Sequence, residues 1–314
     1  MSSQATLRSS EPEVLDRGAL SKARLWYESV RQQSRLIGTY SPDVSTSRAG
    51  TRLGSLRPLE DPIFVLGCPR SGTTYLGGLM AEVRDSTYIF EPQILKYYVR
   101  LVVQGKVSQR HASTVYRQGL RALVLAGPGH GPRPIEKNPN HVFAVDHLMS
   151  AFGEPRFVVI TRDGRDVAVS LREKPWHRAD AAGQRREPAG YLTGPVPHFY
   201  IEPERADEYR QTSDIHRCIW IWRRHQEVVE QIRNRPDVVQ HHLRYEDLVE
   251  RPTETVGKLC DFLHVTQESR EAMLARSLSG RSSSVGRWKD QLNQDELRVV
   301  DHEAGDLLRA LGYD

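Results

Sequence analysis

Apolar residues come along this chain in two rhythms. Short, nearly unbroken runs at residues 62–67, Thr87–Phe90 and Arg156–Thr161 have the length and β-branched content of strands buried on both faces, and Pro134-Ile-Glu-Lys-Asn138 and Val238–Leu243 read as further short strands. Between them apolar residues recur three and four positions apart, which predicts helices. Leu20, Ala23, Trp26, Val30 and Ile37 predict one helix over 20–38, ahead of the first strand. Further helices are predicted from the first strand to about residue 84, at 93–104 and 111–125, and around Phe143, Leu148 and Met149. Asp163 is placed to cap another, and 213–235 carries Ile215, Ile219, Trp222, Val229 and Ile232. Helices near 252–263, 267–278 and 293–311 complete the pattern.

Buried strands separated by helices predict an α/β fold, a central parallel β-sheet with helices on both faces. The polar residues 1–19 are expected to be poorly ordered, and 1–55 reads as a tail and helix ahead of one domain over 56–314. Gly127-Pro-Gly-His-Gly-Pro132 breaks the pattern sharply. Residues 174–212 are rich in Pro, Gly and charge, with little periodicity, and are expected to form a long binding loop or lid.

The strand ends matter most, because ligands of parallel sheets bind at the carboxyl ends of strands. Those ends carry Gly67–Thr74, Glu91, Lys137, Arg162 and Tyr245. The segment Phe64-Val-Leu-Gly-Cys-Pro-Arg-Ser-Gly-Thr-Thr-Tyr-Leu76 reads as strand, tight loop and helix start. Such a turn aims backbone N–H groups and the positive helix end at one point, a cradle for phosphate. Gly67 and Gly72 have the spacing of G-x-x-x-x-G-K-[ST], but Thr73 stands where the lysine would be, followed by Thr74. Arg70 is the only cation inside the loop, so a phosphate-bearing ligand other than Mg-ATP is expected. Cys68 reads as a packing residue, because a phosphatase thiolate needs an arginine six positions later and Thr74 stands there.

Composition narrows the partners. The 314 residues are 27% charged and 38% hydrophobic, with a net charge of only +4. Acidic residues are interleaved with the arginines, which suits a local basic pocket and excludes a basic stripe for nucleic acid. Cys68, Cys218 and Cys260 are too few and scattered for a disulfide framework or a cysteine zinc site. With no signal-peptide pattern and no run long enough to span a membrane, a soluble, cytoplasmic protein is expected. A homodimer is left open.

Together these pieces resemble the sulfotransferases that use 3′-phosphoadenosine 5′-phosphosulfate (PAPS) and release adenosine 3′,5′-bisphosphate (PAP). The tyrosylprotein and bacterial branches look closest, and the likeness runs from about residue 60 to the end. It implies a P-loop-type sheet and no metal requirement. Residues 68–74, Cys-Pro-Arg-Ser-Gly-Thr-Thr, resemble the 5′-phosphosulfate loop, so Arg70, Ser71, Gly72, Thr73 and Thr74 would grip that group. Arg162-Asp-Gly-Arg-Asp-Val-Ala-Val-Ser170 resembles the 3′-phosphate element, assigning Arg162 and Ser170. Arg165 reads instead as an ion-pair partner of Asp163 or Asp166. Gly280-Arg-Ser-Ser-Ser-Val-Gly-Arg-Trp-Lys289 resembles the late loop that closes over the nucleotide, bringing Arg287, Lys289 and a serine such as Ser284 to it. Trp288 would anchor that loop or stack on a ring, and Tyr245 matches a tyrosine near the adenosine.

For the chemistry, the likeness makes Arg70 and Lys137 the cations at the leaving phosphate. It makes Glu91 the base, facing the loop from the neighbouring strand. Other branches use histidine, so His141, His147 and His198 are alternatives, His141 first. His241 and His242 alternate faces of one strand and cannot share a site. The acceptor is expected to be a hydroxyl or amine of a small molecule, glycan or natural product, walled by Trp176, His177, Tyr191, His198, Phe199 and Tyr200. A P-loop kinase or NTPase, and a non-catalytic phosphonucleotide-binding protein, are the competing readings.

Overall fold

The computed structural model describes residues 23–31, 59–126, 131–174, 185–186, 192–193, 201–279 and 284–313. Helix α1 (23–31) is the described part of the segment read as 20–38. Then follow β1 (Ile63–Gly67), α2 (Thr73–Met80), β2 (Ser86–Phe90), α3 (Gln93–Val103), α4 (Gln109–Ala126) and β3 (Arg133–Lys137). A 3-10 turn (Pro139–Ala144) leads into α5 (Val145–Phe152), β4 (Arg156–Thr161) and α6 (Gly164–Arg172). A two-strand ribbon of β5 (Arg185–Arg186) and β6 (Leu192–Thr193) precedes α7 (Ala206–Gln211), α8 (Asp214–Arg233) and β7 (Gln240–Arg244). The chain ends with α9 (Tyr245–Glu250), α10 (Pro252–Leu263), α11 (Gln267–Leu278), α12 (Trp288–Gln291) and α13 (Gln294–Ala310).

Five strands form one sheet in the order β2-β3-β1-β4-β7, every pairing parallel. Both faces are covered because the strands are apolar on both. Phe64, Leu66, Ile89, Phe157 and Val159 pack toward α3, α4 and α5. Their neighbours Ile63, Val65, Ile135, Val158 and Ile160 pack the other way, against α2, α10 and α11. A third core joins α6, α8 and α13 through Val167, Ile219, Trp222, Val300 and Leu308. No helix among the described residues is long and apolar enough to cross a membrane.

The sheet order fixes where a ligand sits. From β1 the chain turns to one edge, through β2 and β3, and then crosses to β4 and β7 on the other. The loops after β1 and β4 therefore diverge, opening a crevice at the carboxyl end of the sheet.

Several boundaries differ from the sequence reading. The residues carrying Phe143 form a 3-10 turn before α5, because Asn138 caps it and Pro139 fixes its first position. Helix α2 stops at Met80 rather than residue 84, the chain turning through Asp85 at φ 58° into β2. The last strand is Gln240–Arg244 rather than 238–243, since the Val238 amide is spent on a turn to the Arg235 carbonyl. The end of the 174–212 segment is not loop but a 3-10 turn at Pro203–Arg205 followed by α7.

Candidate active site

The β1 loop is shaped by two glycines. A Cβ on Gly67 would lie 2.4 Å from the Ile160 carbonyl oxygen, so glycine lets β1 press onto β4 at its end. A Cβ on Gly72 would meet the Tyr245 ring at 2.3 Å, and its φ of 92° lies in the region that favours glycine. Helix α2 begins there, with the Leu76 amide donating to the Gly72 carbonyl at 2.9 Å. The amides ahead of Leu76 point along the axis toward the loop mouth. Ser71 and Thr73 are buried and Thr74 is exposed.

Arg70 adopts a left-handed φ of 72°, uncommon for a residue with a side chain. Its Nε donates to Ser170 Oγ at 3.0 Å, tying the β1 loop to α6. Burial lowers the Arg70 pKa; Glu173 and Glu91 raise it, while Arg162 and Arg287 lower it. All four groups thus lie within electrostatic reach of Arg70.

Arg162 leaves the end of β4 and is buried. Its guanidinium donates to the Arg70 carbonyl at 3.3 Å and to the Ser284 carbonyl, and lies 4.5 Å from the Tyr245 ring centre. Tyr245 OH and Ser284 Oγ are 2.6 Å apart. Arg162 Nε is buried without a hydrogen-bond partner. Arg165 pairs with Asp163 at 2.9 Å and lies 3.9 Å over the Trp288 ring. Asp163 also accepts from the Arg165 amide at 2.8 Å, the cap read from the sequence. Arg287 reaches Glu173 at 2.5 Å, and Lys289 is exposed on α12.

At the ends of β2 and β3 lies the second part of the site. The Glu91 amide donates to the Lys137 carbonyl at 2.9 Å, and the Glu91 carboxylate binds Lys137 Nζ. Lys96, one turn into α3, approaches the other carboxylate oxygen at 3.1 Å. Burial pushes Glu91 up, but the Lys137 and Lys96 ammonium groups outweigh it and hold the carboxyl at about 2. Lys137, only 2% exposed, is lowered by its own burial, against the pull of Glu91. Its ammonium also lies 4.6 Å from the Phe90 ring centre.

One expectation about Glu91 is corrected here. The strand next to β1 on that side is β3, so Glu91 stands two strands away and Lys137 occupies the adjacent strand end. Consecutive strands need not be neighbours in a parallel sheet, and local pattern carries no strand order.

The histidines within the described residues have contacts of their own. His141 is fully buried, with Nδ1 2.7 Å from Glu136 and Nε2 3.3 Å from Tyr116 OH. The His147 ring packs 4.8 Å from Tyr116, and burial lowers its pKa to about 4. His241 stacks on Phe262 and His242 bonds Gln240, on opposite faces of the strand. His198 lies outside the described residues, as do Trp176, His177, Tyr191, Phe199 and Tyr200. Burial drives the Cys68 thiol well above its usual range, which removes it as a thiolate.

A glycine-shaped loop at a helix start, the exposed Arg70, the buried Arg162 and a half-buried carboxylate paired with the buried Lys137 thus share one sheet end. A model of the sulfotransferase family matches residues 62–269. The chain belongs to the sulfotransferase family. It is 26% identical over 303 residues to nodulation protein NoeE of Sinorhizobium fredii (strain NBRC 101917 / NGR234), covering 82% of this chain and 67% of NoeE. The crystal structure of sulfotransferase STF9 from Mycobacterium avium superposes with a TM-score of 0.55 at 15% identity, covering 94% of this chain and 84% of that one. That likeness is one of fold, a P-loop-type parallel sheet with helices on both faces. The chain is a sulfotransferase enzyme, which sets the kinase and non-catalytic readings aside.

Two residues of this sulfotransferase site escaped the sequence reading. Lys96 lies five positions beyond Glu91, and Pro92 starts the helix that folds it back. Asp163 and Asp166 were read as alternative partners of Arg165; Asp163 takes that place, and Asp166 lies 3.4 Å from Arg162. The signal was the spacing of Arg162 and Asp166, four apart across a helix start.

Proposed function

We propose that this sulfotransferase takes its sulfuryl group from PAPS and passes it to a hydroxyl or amine of a small-molecule, glycan or natural-product acceptor. One observation carries the reading: Arg162 is buried at the β4 end beside Arg70 and Ser170, with its Nε unpartnered. A buried charged donor without an acceptor costs free energy that an anionic ligand recovers. The residues present suit the donor at both of its phosphates. Arg70 with the amides of Ser71, Gly72, Thr73 and Thr74 would hold the 5′-phosphosulfate. Arg162, Ser170, Arg287 and Lys289 would hold the 3′-phosphate, with Tyr245 and Ser284 beside the adenosine.

Bound there, the donor supplies a sulfuryl group on a phosphate leaving group. Everything else falls to the chain. Arg70 and Lys137 place positive charge where negative charge grows as that bond breaks, the role a metal ion fills in many phosphoryl transfers. Glu91 takes the acceptor proton on a carboxylate oxygen. Held by two ammonium groups it is a weak base, and it gains basicity as Lys137 turns from it toward the anionic donor. The three scattered, buried cysteines Cys68, Cys218 and Cys260 suit a reducing, cytoplasmic compartment.

Calorimetric titration with PAP, AMP and Mg-ATP tests the donor. Tight PAP binding that is lost without the 3′-phosphate supports the reading, and a preference for Mg-ATP would overturn it.

A further inference from the structure

The first turn of α6 holds a buried carboxylate that no step above has used. Asp166 is 2% exposed, and its Oδ2 accepts from the Gly286 amide at 2.8 Å. Its Oδ1 accepts from the Trp288 amide at 3.0 Å, and Arg162 lies 3.4 Å away. Local needs do not explain it. Asp163 already caps α6, and Arg165, the nearest cation in sequence, is taken by Asp163 and the Trp288 ring. Between the two anchored amides, Arg287 ties the same segment to Glu173 at the other end of α6. At the start of the segment, the Ser284 carbonyl receives the Arg162 guanidinium.

We infer that Asp166 is a positioning residue that locks the 284–288 segment and the Arg162 guanidinium into one unit. The strand-end arginine and the late segment then grip a 3′-phosphate together rather than as independent contacts. The carboxylate satisfies two amides of a segment some 120 positions away and faces the arginine from the other side. Losing it releases the segment and leaves Arg162 free to turn toward its remaining carbonyl partners. The inference rests on the donor reading given above.

The test is calorimetry with PAP and with AMP on the parent, Asp166→Asn, Lys289→Ala and the double variant. Asp166→Asn is expected to weaken PAP about tenfold or more while AMP changes by less than about twofold. The Lys289→Ala effect on PAP is expected to vanish in the Asp166→Asn background, because Lys289 follows directly on the released segment. Additive effects, or equal losses for PAP and AMP, would overturn the inference alone. A parent that binds AMP as tightly as PAP would overturn the donor reading and this inference with it. Should Asp166→Asn fail to fold, Asp166→Glu keeps the charge, displaces it by one methylene, and is read by the same PAP-to-AMP ratio. Trypsin cleavage after Arg287 gives a second readout: PAP should protect that bond in the parent and not in the variant, and equal protection in both would contradict the lock.

Discussion

At the mouths of β1 and β4 the nearest partners of the arginines are neutral oxygens: Arg70 on the Ser170 hydroxyl, Arg162 on the carbonyls of Arg70 and Ser284, with the Asp166 carboxylate beside Arg162 at 3.4 Å. At the ends of β2 and β3 the lysines are instead in direct contact with a carboxylate, Lys137 and Lys96 both on Glu91. A guanidinium whose nearest partners are neutral, and whose neighbouring carboxylate is shared with two backbone amides, keeps more of its field for a ligand than an ammonium in direct contact with a carboxylate, which is cancelled until the pair opens. The first arrangement suits capture of an anion. The second suits a group whose proton affinity must change during a turnover. On the proposed reading the site would divide into a half that binds and a half that handles protons.

Removing the carboxylate is expected to break that division most severely. Glu91→Gln should lower turnover about 10²- to 10⁴-fold, measured as PAP release with an accepted hydroxyl compound. PAP affinity should not fall, since the change leaves Lys137 without its counter-charge. A variant that turns over normally would remove Glu91 as the base. Arg162→Ala comes next, with an expected loss of about 10- to 100-fold in PAP affinity and little change for AMP, both read by calorimetry. Equal affinities of variant and parent would sink the 3′-phosphate assignment.

Lys96→Met sharpens the comparison from the other side. Lys96 is one of two ammonium groups that hold Glu91 at about 2, so its loss should raise the Glu91 pKa. The acid limb of kcat/KM against pH should move up accordingly, and a limb that stays in place would show that Glu91 does not set it.

The smallest expected effect concerns stability. Burial lowers His147 and His225 from 6.5 to about 4, so between those values the unfolded chain binds more protons than the folded one. Their contribution is complete above pH 6.5 and is lost as the pH falls toward 4. The melting temperature should therefore drop between pH 7 and pH 5, and His147→Phe should make the drop shallower. An identical slope in that variant would count against the burial argument.

How much of this was legible beforehand follows from where the partners lie along the chain. The strands β1 and β4 were readable because burial on both faces leaves uninterrupted apolar runs. The β1 loop was readable because Gly67 and Gly72 are demanded by contacts with Ile160 and Tyr245 that no side chain would permit. Arg162 and Ser170 were singled out only through the family resemblance, which they match in residue type and spacing. Asp166 did not, since its amide partners come from residues 286 and 288, and nothing local marks so distant a bond. The displacement of Glu91 by β3 was equally hidden, because strand order is decided by how the helices cover the whole sheet. Pro139 did carry a signal of its own, and it was the periodicity of the following residues that masked the 3-10 turn.

The division of the site is tested most directly by measuring PAP affinity of the parent, Glu91→Gln and Arg162→Ala side by side in one calorimetric series. The account predicts undiminished affinity for Glu91→Gln and a loss of at least about tenfold for Arg162→Ala. Similar losses in both variants, or in neither, would contradict it.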